Sequence, residues 1–139
     1  MGKHYAKAKW EGTLKDGYGK FNFTGYDGPF NFRSRFEDGP ETSPEELVGA
    51  ANAGCFSMFL SALISKKGFI PTSIETKATV ELGQDNGPKI TSITLDSEAV
   101  VPDLSEEDFN QLAKEAKANC PISRLFAGTE IILNAKLIS

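Results

Sequence analysis

Histidine and cysteine are scarce in this 139-residue chain, which has one histidine, His4, and two cysteines, Cys55 and Cys120. Two cysteines are too few for a disulfide scaffold of the secreted type or for a cysteine-rich zinc site. His4 lies far from both in the sequence. We therefore expect no metal and no bound cofactor. The thiols are either redox groups or inert core residues, and their sequence neighbours must decide between the two.

The chain also lacks an excess of positive charge. Its formal net charge is −4 and its pI is about 5.0, so no basic stripe is available to neutralise phosphates and nucleic-acid binding is not expected. Three lysines near the N-terminus precede no apolar run, which argues against a secretory signal and favours a cytoplasmic location. The length and ordinary composition predict one soluble domain over residues 1–139.

A third absence is charge between Leu47 and Ser65. By length alone this stretch is sufficient to span a membrane. It also contains Asn52, several serines and many small residues, which favour a helix buried in a protein core. We therefore predict a central helix and no membrane partner.

The first half of the chain predicts an antiparallel meander followed by this helix. Alternating residues predict three strands, the first two joined at Asp16-Gly17. A turn-rich break at 25–29 precedes the third strand, over 30–36, which carries Arg33 and Arg35 on one face. Ser43 before Pro44, with Glu46 three residues after Ser43, predicts a helix start. The helix should run to about Lys67, and the glycines at 49 and 54 predict a bend or break within it.

The second half predicts a hairpin, a helix, a short helix and a last strand. The period of two returns at Thr72, with the turn at Asn86-Gly87. A helix capped at Ser105 should bury four residues: Phe109, Leu112, Ala113 and Ala116. Cys120 precedes Pro121 as the predicted N-cap of a short helix to Phe126, and a strand over 130–138 ends the chain. The order indicates an α+β fold with helices packed on antiparallel sheets.

Cys55 lies on an apolar ridge of the central helix with Met58, Phe59 and Ala62. Burial without a nearby charge raises the pKa of a thiol and makes it inert, so catalysis requires a positive group nearby. From composition alone, Arg33 and Arg35 are ordinary residues of a solvated strand face.

Three segments carry a family resemblance. Residues 43–58, SPEELVGAANAGCFSM, resemble the signature of the OsmC/Ohr family, the osmotically inducible and organic-hydroperoxide-resistance proteins. NCPIS at 119–123 resembles the family's second cysteine motif, and GFIPTSI at 68–74 resembles its link from central helix to strand. Residues 1–32 contain no arginine, so the chain looks closer to the OsmC branch than to the Ohr branch. Asn52 stands where relatives often have histidine.

The resemblance implies a set of site residues and an assembly. Cys55 would be the peroxidatic cysteine, Cys120 the resolving cysteine, Arg35 the catalytic arginine, with Arg33 as the alternative, and Glu45 the carboxylate that orients it. The implied fold is OsmC-like, with antiparallel sheets around a long central helix. The implied assembly is an intertwined homodimer with two sites at its interface.

The resemblance also implies the reaction. Organic hydroperoxides, and hydrogen peroxide less well, would be reduced through a Cys55 sulfenic acid and a Cys55–Cys120 disulfide. An external dithiol or a lipoylated protein would then reset the enzyme. Two alternatives stay open: a non-enzymatic dimeric module that binds an apolar ligand, and a structural dimer with two unreactive thiols.

Overall fold

The computed structural model describes residues 2–139. The chain forms two compact units, a first that ends at Leu47 and a second from Val48 to Ser139. Each unit has its own three-stranded sheet. The units are therefore described one at a time.

The first unit contains the predicted meander. Strands β1 (Lys7–Glu11), β2 (Tyr18–Phe23) and β3 (Tyr26–Phe30) form an antiparallel sheet in that order. The rings of Phe21 and Phe30 stack with centroids 3.9 Å apart. A Cβ at Gly19 would lie 2.7 Å from Phe30 and from Trp10, so the absent side chain makes room for these rings.

The third predicted strand, over 30–36, is wrong, because β3 lies at Tyr26–Phe30, in the stretch that the sequence predicts to be a turn. Residues 32–36 instead form a short helix, α1 (Phe32–Phe36), which carries both Arg33 and Arg35. Its cause is local. The Asn31 side chain accepts a hydrogen bond from the Ser34 backbone N–H at 2.8 Å, and Ser34 Oγ accepts one from the Asn31 backbone N–H at 2.9 Å. This reciprocal capping box stabilises a helical turn and outweighs the alternating pattern.

Helix α2 (Pro44–Lys66) begins where the sequence predicts. Ser43 Oγ accepts a hydrogen bond from the Glu46 backbone N–H at 3.1 Å. The predicted break is wrong, because α2 continues through both glycines. A Cβ at Gly49 would lie 3.1 Å from a methyl group of Val80 and 3.3 Å from Cβ of Ala78. Gly49 therefore permits close helix–strand packing rather than a bend.

The sheet of the second unit has the order β4-β5-β6, formed by β4 (Ser73–Gln84), β5 (Pro88–Val100) and β6 (Glu130–Leu137). Asn86 and Gly87 form the predicted turn between β4 and β5, with positive φ angles of 57° and 117°. Strand β6 pairs with β5 in parallel, so the expectation of antiparallel sheets fails for this pair. The helices between β5 and β6 provide the crossover that parallel pairing needs.

Those helices are α3 (Glu106–Asn119) and α4 (Pro121–Leu125), and both predicted caps are confirmed. Ser105 accepts a hydrogen bond from the Asp108 backbone N–H at 3.2 Å. Cys120 is the N-cap of α4, and Pro121 is its first residue. The four residues predicted to be buried on α3 are the four buried there.

Helix α2 is buried along one stripe, where Asn52, Phe56, Leu60 and Ile64 are each 0% exposed. Its other face is exposed although it carries small or apolar residues, and the side chain of Met58 is 77% exposed. By length and composition α2 could cross a membrane, and 28% of its most apolar window is buried within the chain. The prediction of a buried central helix is thus confirmed for one face only.

Candidate active site

Cys120 is held at the start of α4 and is fully buried. Its Sγ accepts a hydrogen bond from the Ser123 backbone N–H at 3.3 Å and donates its thiol proton to Ser123 Oγ at 3.0 Å. An N-cap position directs the side chain back toward the backbone N–H groups of the first turn. The sequence Cys-Pro therefore fixes the orientation of this thiol.

Cys55 lies on α2, half-buried, and both cysteines are in the free thiol form. Burial raises the pKa of the Cys55 thiol above its ordinary value of 9.0. The backbone N–H of Ile122 acts in the opposite direction, because it donates a hydrogen bond to the sulfur. The Cys120 thiol is a second hydrogen-bond partner and, as a neighbouring ionisable group, raises the pKa further. The two cysteines, 65 positions apart in the numbering, are therefore brought together.

Arg35 and Glu45, both in the first unit, form a bidentate ion pair. Arg35 Nε donates to Glu45 Oε1 at 3.1 Å, and Nη2 donates to Oε2 at 3.2 Å. The Arg35 guanidinium also lies 5.3 Å from the centroid of the Phe36 ring. The side chain of Glu45 is 12% exposed and that of Arg35 is 40% exposed. Such fork-like pairing fixes the plane of the guanidinium and leaves part of it open to a third partner.

Arg33 has a different environment on the same helix. Its Nε lies 3.8 Å from Glu37 Oε1, and both side chains are more than half exposed. A single contact of this kind on a surface contributes little. Of the two candidate arginines, Arg35 is the one paired with the carboxylate that the resemblance named.

Sequence reasoning missed two polar residues beside Cys120. Asn52 Nδ2 donates a hydrogen bond to Ser123 Oγ at 3.2 Å, and both residues are buried. Their only signals were an asparagine in an apolar helix and the serine of the NCPIS motif. Neither predicts contact with the other across 71 positions.

The predicted site residues thus form two groups: the cysteine pair in the second unit and the Arg35–Glu45 pair in the first. Within residues 2–139, no cluster of three or more His, Cys, Asp or Glu side chains has a geometry that could hold a metal ion. The chemistry that the site offers is that of two adjacent thiols. An arginine held by a carboxylate is available in the first unit.

Comparisons with known proteins agree with this chemistry. The chain is 43% identical to Peroxiredoxin OsmC of Escherichia coli over 137 residues, which covers 96% of this chain and 95% of that protein. It is 26% identical over 92 residues to an organic hydroperoxide resistance protein-like 2 of Staphylococcus epidermidis, covering 66% and 65% of the two chains.

Solved structures share the fold. An OsmC-like protein of unknown function from Vibrio cholerae has a TM-score of 0.78 at 20% identity, with 97% and 99% of the two chains covered. The organic hydroperoxide resistance protein OhrB of Bacillus subtilis has a TM-score of 0.72 at 24% identity, with 96% and 97% covered. The family model described as OsmC-like protein matches residues 37–134. The chain therefore belongs to the OsmC-like protein family.

Proposed function

We propose that this chain, a cysteine-based peroxidase, reduces organic hydroperoxides with Cys55 as the attacking thiol and Cys120 as the resolving thiol. The single observation that carries the proposal is the proximity of the two free thiols, which is close enough for Cys120 to raise the pKa of Cys55. Two inert core cysteines need not meet. The names of the relatives, a peroxiredoxin and an organic hydroperoxide resistance protein, support the same substrate class.

The reaction proceeds in two sulfur steps. The Cys55 thiolate attacks the outer oxygen of the hydroperoxide, the O–O bond breaks, and the alcohol leaves after taking up a proton. Cys55 is then a sulfenic acid. Cys120 attacks that sulfur, a disulfide forms and water leaves. An external dithiol, either a small molecule or a lipoylated protein, returns both residues to thiols.

Deprotonation of Cys55 supplies only part of the rate. A free thiol of pKa about 8.5 is about 3% ionised at pH 7, so full ionisation raises the reactive fraction about thirty-fold. The gain is larger for Cys55, because burial raises its pKa, but it is still far below the rate increase that an enzyme provides. A guanidinium that binds both the thiolate and the departing oxygen stabilises the charge that develops in the transition state. In this proposal Arg35 is that group, and Glu45 holds its plane by the bidentate pair.

The proposal places this chemistry in a homodimer. Ten residues separate Glu45 from Cys55 on the unbroken helix α2, which is about 15 Å of rise. Because no bend shortens that distance, the proposed site combines Arg35 and Glu45 of one chain with the cysteine pair of its partner. The exposed apolar face of α2, which includes Met58, supports a subunit interface there, since large exposed apolar patches mark contact surfaces.

The function is tested by mass spectrometry after one equivalent of cumene hydroperoxide. We expect the chain to lose two hydrogen atoms and to yield a peptide that links Cys55 to Cys120, and a dithiol should reverse the change. Cys55→Ser should consume no peroxide. Cys120→Ser should stop at a sulfenic acid that dimedone captures.

Two results would overturn the proposal. One is peroxide consumption at the normal rate by Cys55→Ser. The other is a native chain whose two thiols stay reduced under excess peroxide, which is the behaviour of a structural or apolar-ligand-binding module. Since the chain has two cysteines, the double serine variant gives the background rate for both measurements.

A further inference from the structure

A buried polar trio lies beside the cysteine pair, formed by Asn52, Ser123 and Cys120. Ser123 Oγ is at its centre: it accepts a hydrogen bond from Asn52 Nδ2 at 3.2 Å and one from the Cys120 thiol at 3.0 Å. The Ser123 backbone N–H donates to Cys120 Sγ at 3.3 Å. Asn52 and Cys120 are 0% exposed and Ser123 is 6% exposed, so water does not compete for these bonds.

Asn52 occupies its position at a cost to stability. Its Oδ1 is buried and has no hydrogen-bond partner among residues 2–139. A buried acceptor without a partner lowers stability, and an apolar side chain would avoid that loss. The next positions of the same stripe, Phe56, Leu60 and Ile64, are apolar. Packing therefore does not explain an asparagine at this position, whereas its hydrogen bond to Ser123 does.

We propose that Ser123 and Asn52 are positioning residues that prepare Cys120 for the resolving step, an inference that rests on the proposed function. In the resting thiol, Cys120 donates its proton to Ser123 Oγ. When Cys120 loses this proton, the sulfur becomes an acceptor and the Ser123 hydroxyl turns to donate to it. Asn52 Nδ2 holds the other side of Oγ, so the hydroxyl proton points at sulfur. The thiolate then receives two hydrogen bonds from one residue.

The step balances without an added reagent. The Cys120 thiolate attacks the sulfur of the Cys55 sulfenic acid, an S–S bond forms and the S–O bond breaks. The departing hydroxide takes up the proton that Cys120 released, and water leaves. Cys120 sulfur is oxidised and Cys55 sulfur is reduced. Bonds to a charged sulfur are stronger than bonds to a neutral one, so the two bonds from Ser123 orient and stabilise the sulfur during its attack.

The test separates the two sulfur steps by quenched-flow mass spectrometry after one equivalent of cumene hydroperoxide. Appearance of the Cys55 sulfenic acid reports the first step, and the Cys55–Cys120 disulfide reports the second. In Ser123→Ala we expect the second step to slow about ten- to a hundred-fold, the value of a hydrogen bond to a charged group. The first step should stay within about twofold. Ser123→Thr, which keeps the hydroxyl, should restore much of the lost rate.

Asn52→Leu tests the second member of the trio with a side chain of similar shape. The resolving step should slow by several-fold, while the melting temperature stays level or rises because the unpaired Oδ1 is removed. An asparagine with a purely structural role would give the reverse pattern, a lower melting temperature with unchanged resolution. Ser97→Ala is the matched control, since Ser97 is 2% exposed and its hydroxyl bonds to Thr76 at 3.0 Å.

The outcomes distinguish this inference from the proposed function. Normal resolving rates in both Ser123→Ala and Asn52→Leu would overturn the inference and leave the peroxidase mechanism intact. An equal loss of resolving rate in Ser97→Ala would also overturn it, because any buried hydroxyl would then serve. If the native chain forms no sulfenic acid at Cys55, the proposed function itself fails.

Discussion

Replacing Arg35 by alanine should destabilise the chain, whereas replacing Arg33 two residues earlier should not. Both arginines lie on α1, and both have a carboxylate partner. The two pairs differ in geometry and burial. Arg35 makes two hydrogen bonds of 3.1 and 3.2 Å to Glu45, whose side chain is 12% exposed, while Arg33 lies 3.8 Å from the exposed Glu37.

The magnitude follows from what each substitution leaves behind. Arg35→Ala leaves the Glu45 carboxylate nearly buried without its cation, and bonds to charged groups contribute about 1.5–3 kcal/mol. Because the Arg35 side chain is 40% exposed, screening by water reduces this to about 1–2 kcal/mol. For a chain of this size that is a fall in Tm of about 3–8 °C. Arg33→Ala should cost about 0.5 kcal/mol or less.

The assay is a pair of double-mutant cycles read by thermal and urea unfolding. We expect a coupling energy of about 1–2 kcal/mol between Arg35 and Glu45, and close to zero between Arg33 and Glu37. In single-turnover peroxide kinetics Arg35→Ala should slow Cys55 oxidation about a hundred-fold or more, the effect of losing one oxyanion donor. Equal unfolding energies for Arg35→Ala and Arg33→Ala would refute the structural reasoning. A larger decrease in the rate of Cys55 oxidation in Arg33→Ala than in Arg35→Ala would reverse the assignment of the arginine.

Three further predictions concern Cys55, Met58 and Gly49. Burial raises the pKa of Cys55, so in Arg35→Ala the rate of Cys55 alkylation should rise with pH around a midpoint above 9.0, and a lower midpoint would contradict this. If Arg35 acts on the thiol, the midpoint in the native chain should lie at lower pH than in the variant. Met58→Glu, on the exposed face of α2, should halve the mass measured by light scattering, and an unchanged mass would exclude that face as the interface. Gly49→Val should lower the unfolding free energy by about 1–3 kcal/mol in urea titrations, because the new side chain would collide with Val80 and Ala78. An unchanged unfolding free energy would show that β4 can shift to make room.

Features fixed by neighbouring residues were the ones that the sequence predicted well. The caps at Ser43, Ser105 and Cys120 each depend on one side chain and the backbone N–H three residues later, so their signals are local. The turn at Asn86-Gly87 depends on two residues that tolerate positive φ. Such interactions need no knowledge of distant parts of the chain.

The errors arose where two local signals competed or where a distant contact decided. Residues 30–36 alternate like a strand, yet the Asn31–Ser34 capping box stabilises a helix over residues 32–36. Gly49 suggested a break by its low helix propensity, but its reason lies in contact with β4, some thirty positions later. The bond between Asn52 and Ser123 spans 71 positions and could not be predicted from either residue.

The surroundings of Cys55 give a physical reason for the proposed role of an arginine. Within the second unit, burial and the adjacent Cys120 raise the pKa of this thiol, and the Ile122 backbone N–H is the opposing influence. A thiol in that state is protected from chance oxidation but is a slow nucleophile. In the proposed mechanism a cation activates this thiol, and Arg35 is the candidate because Glu45 holds its guanidinium, which is 40% exposed. If the arginine comes from a second copy of the chain, as proposed, peroxide reduction by Cys55 should be lost on dilution while the far-ultraviolet circular dichroism of the fold is unchanged. Activity per chain that stays constant on dilution would contradict the proposed dimeric site.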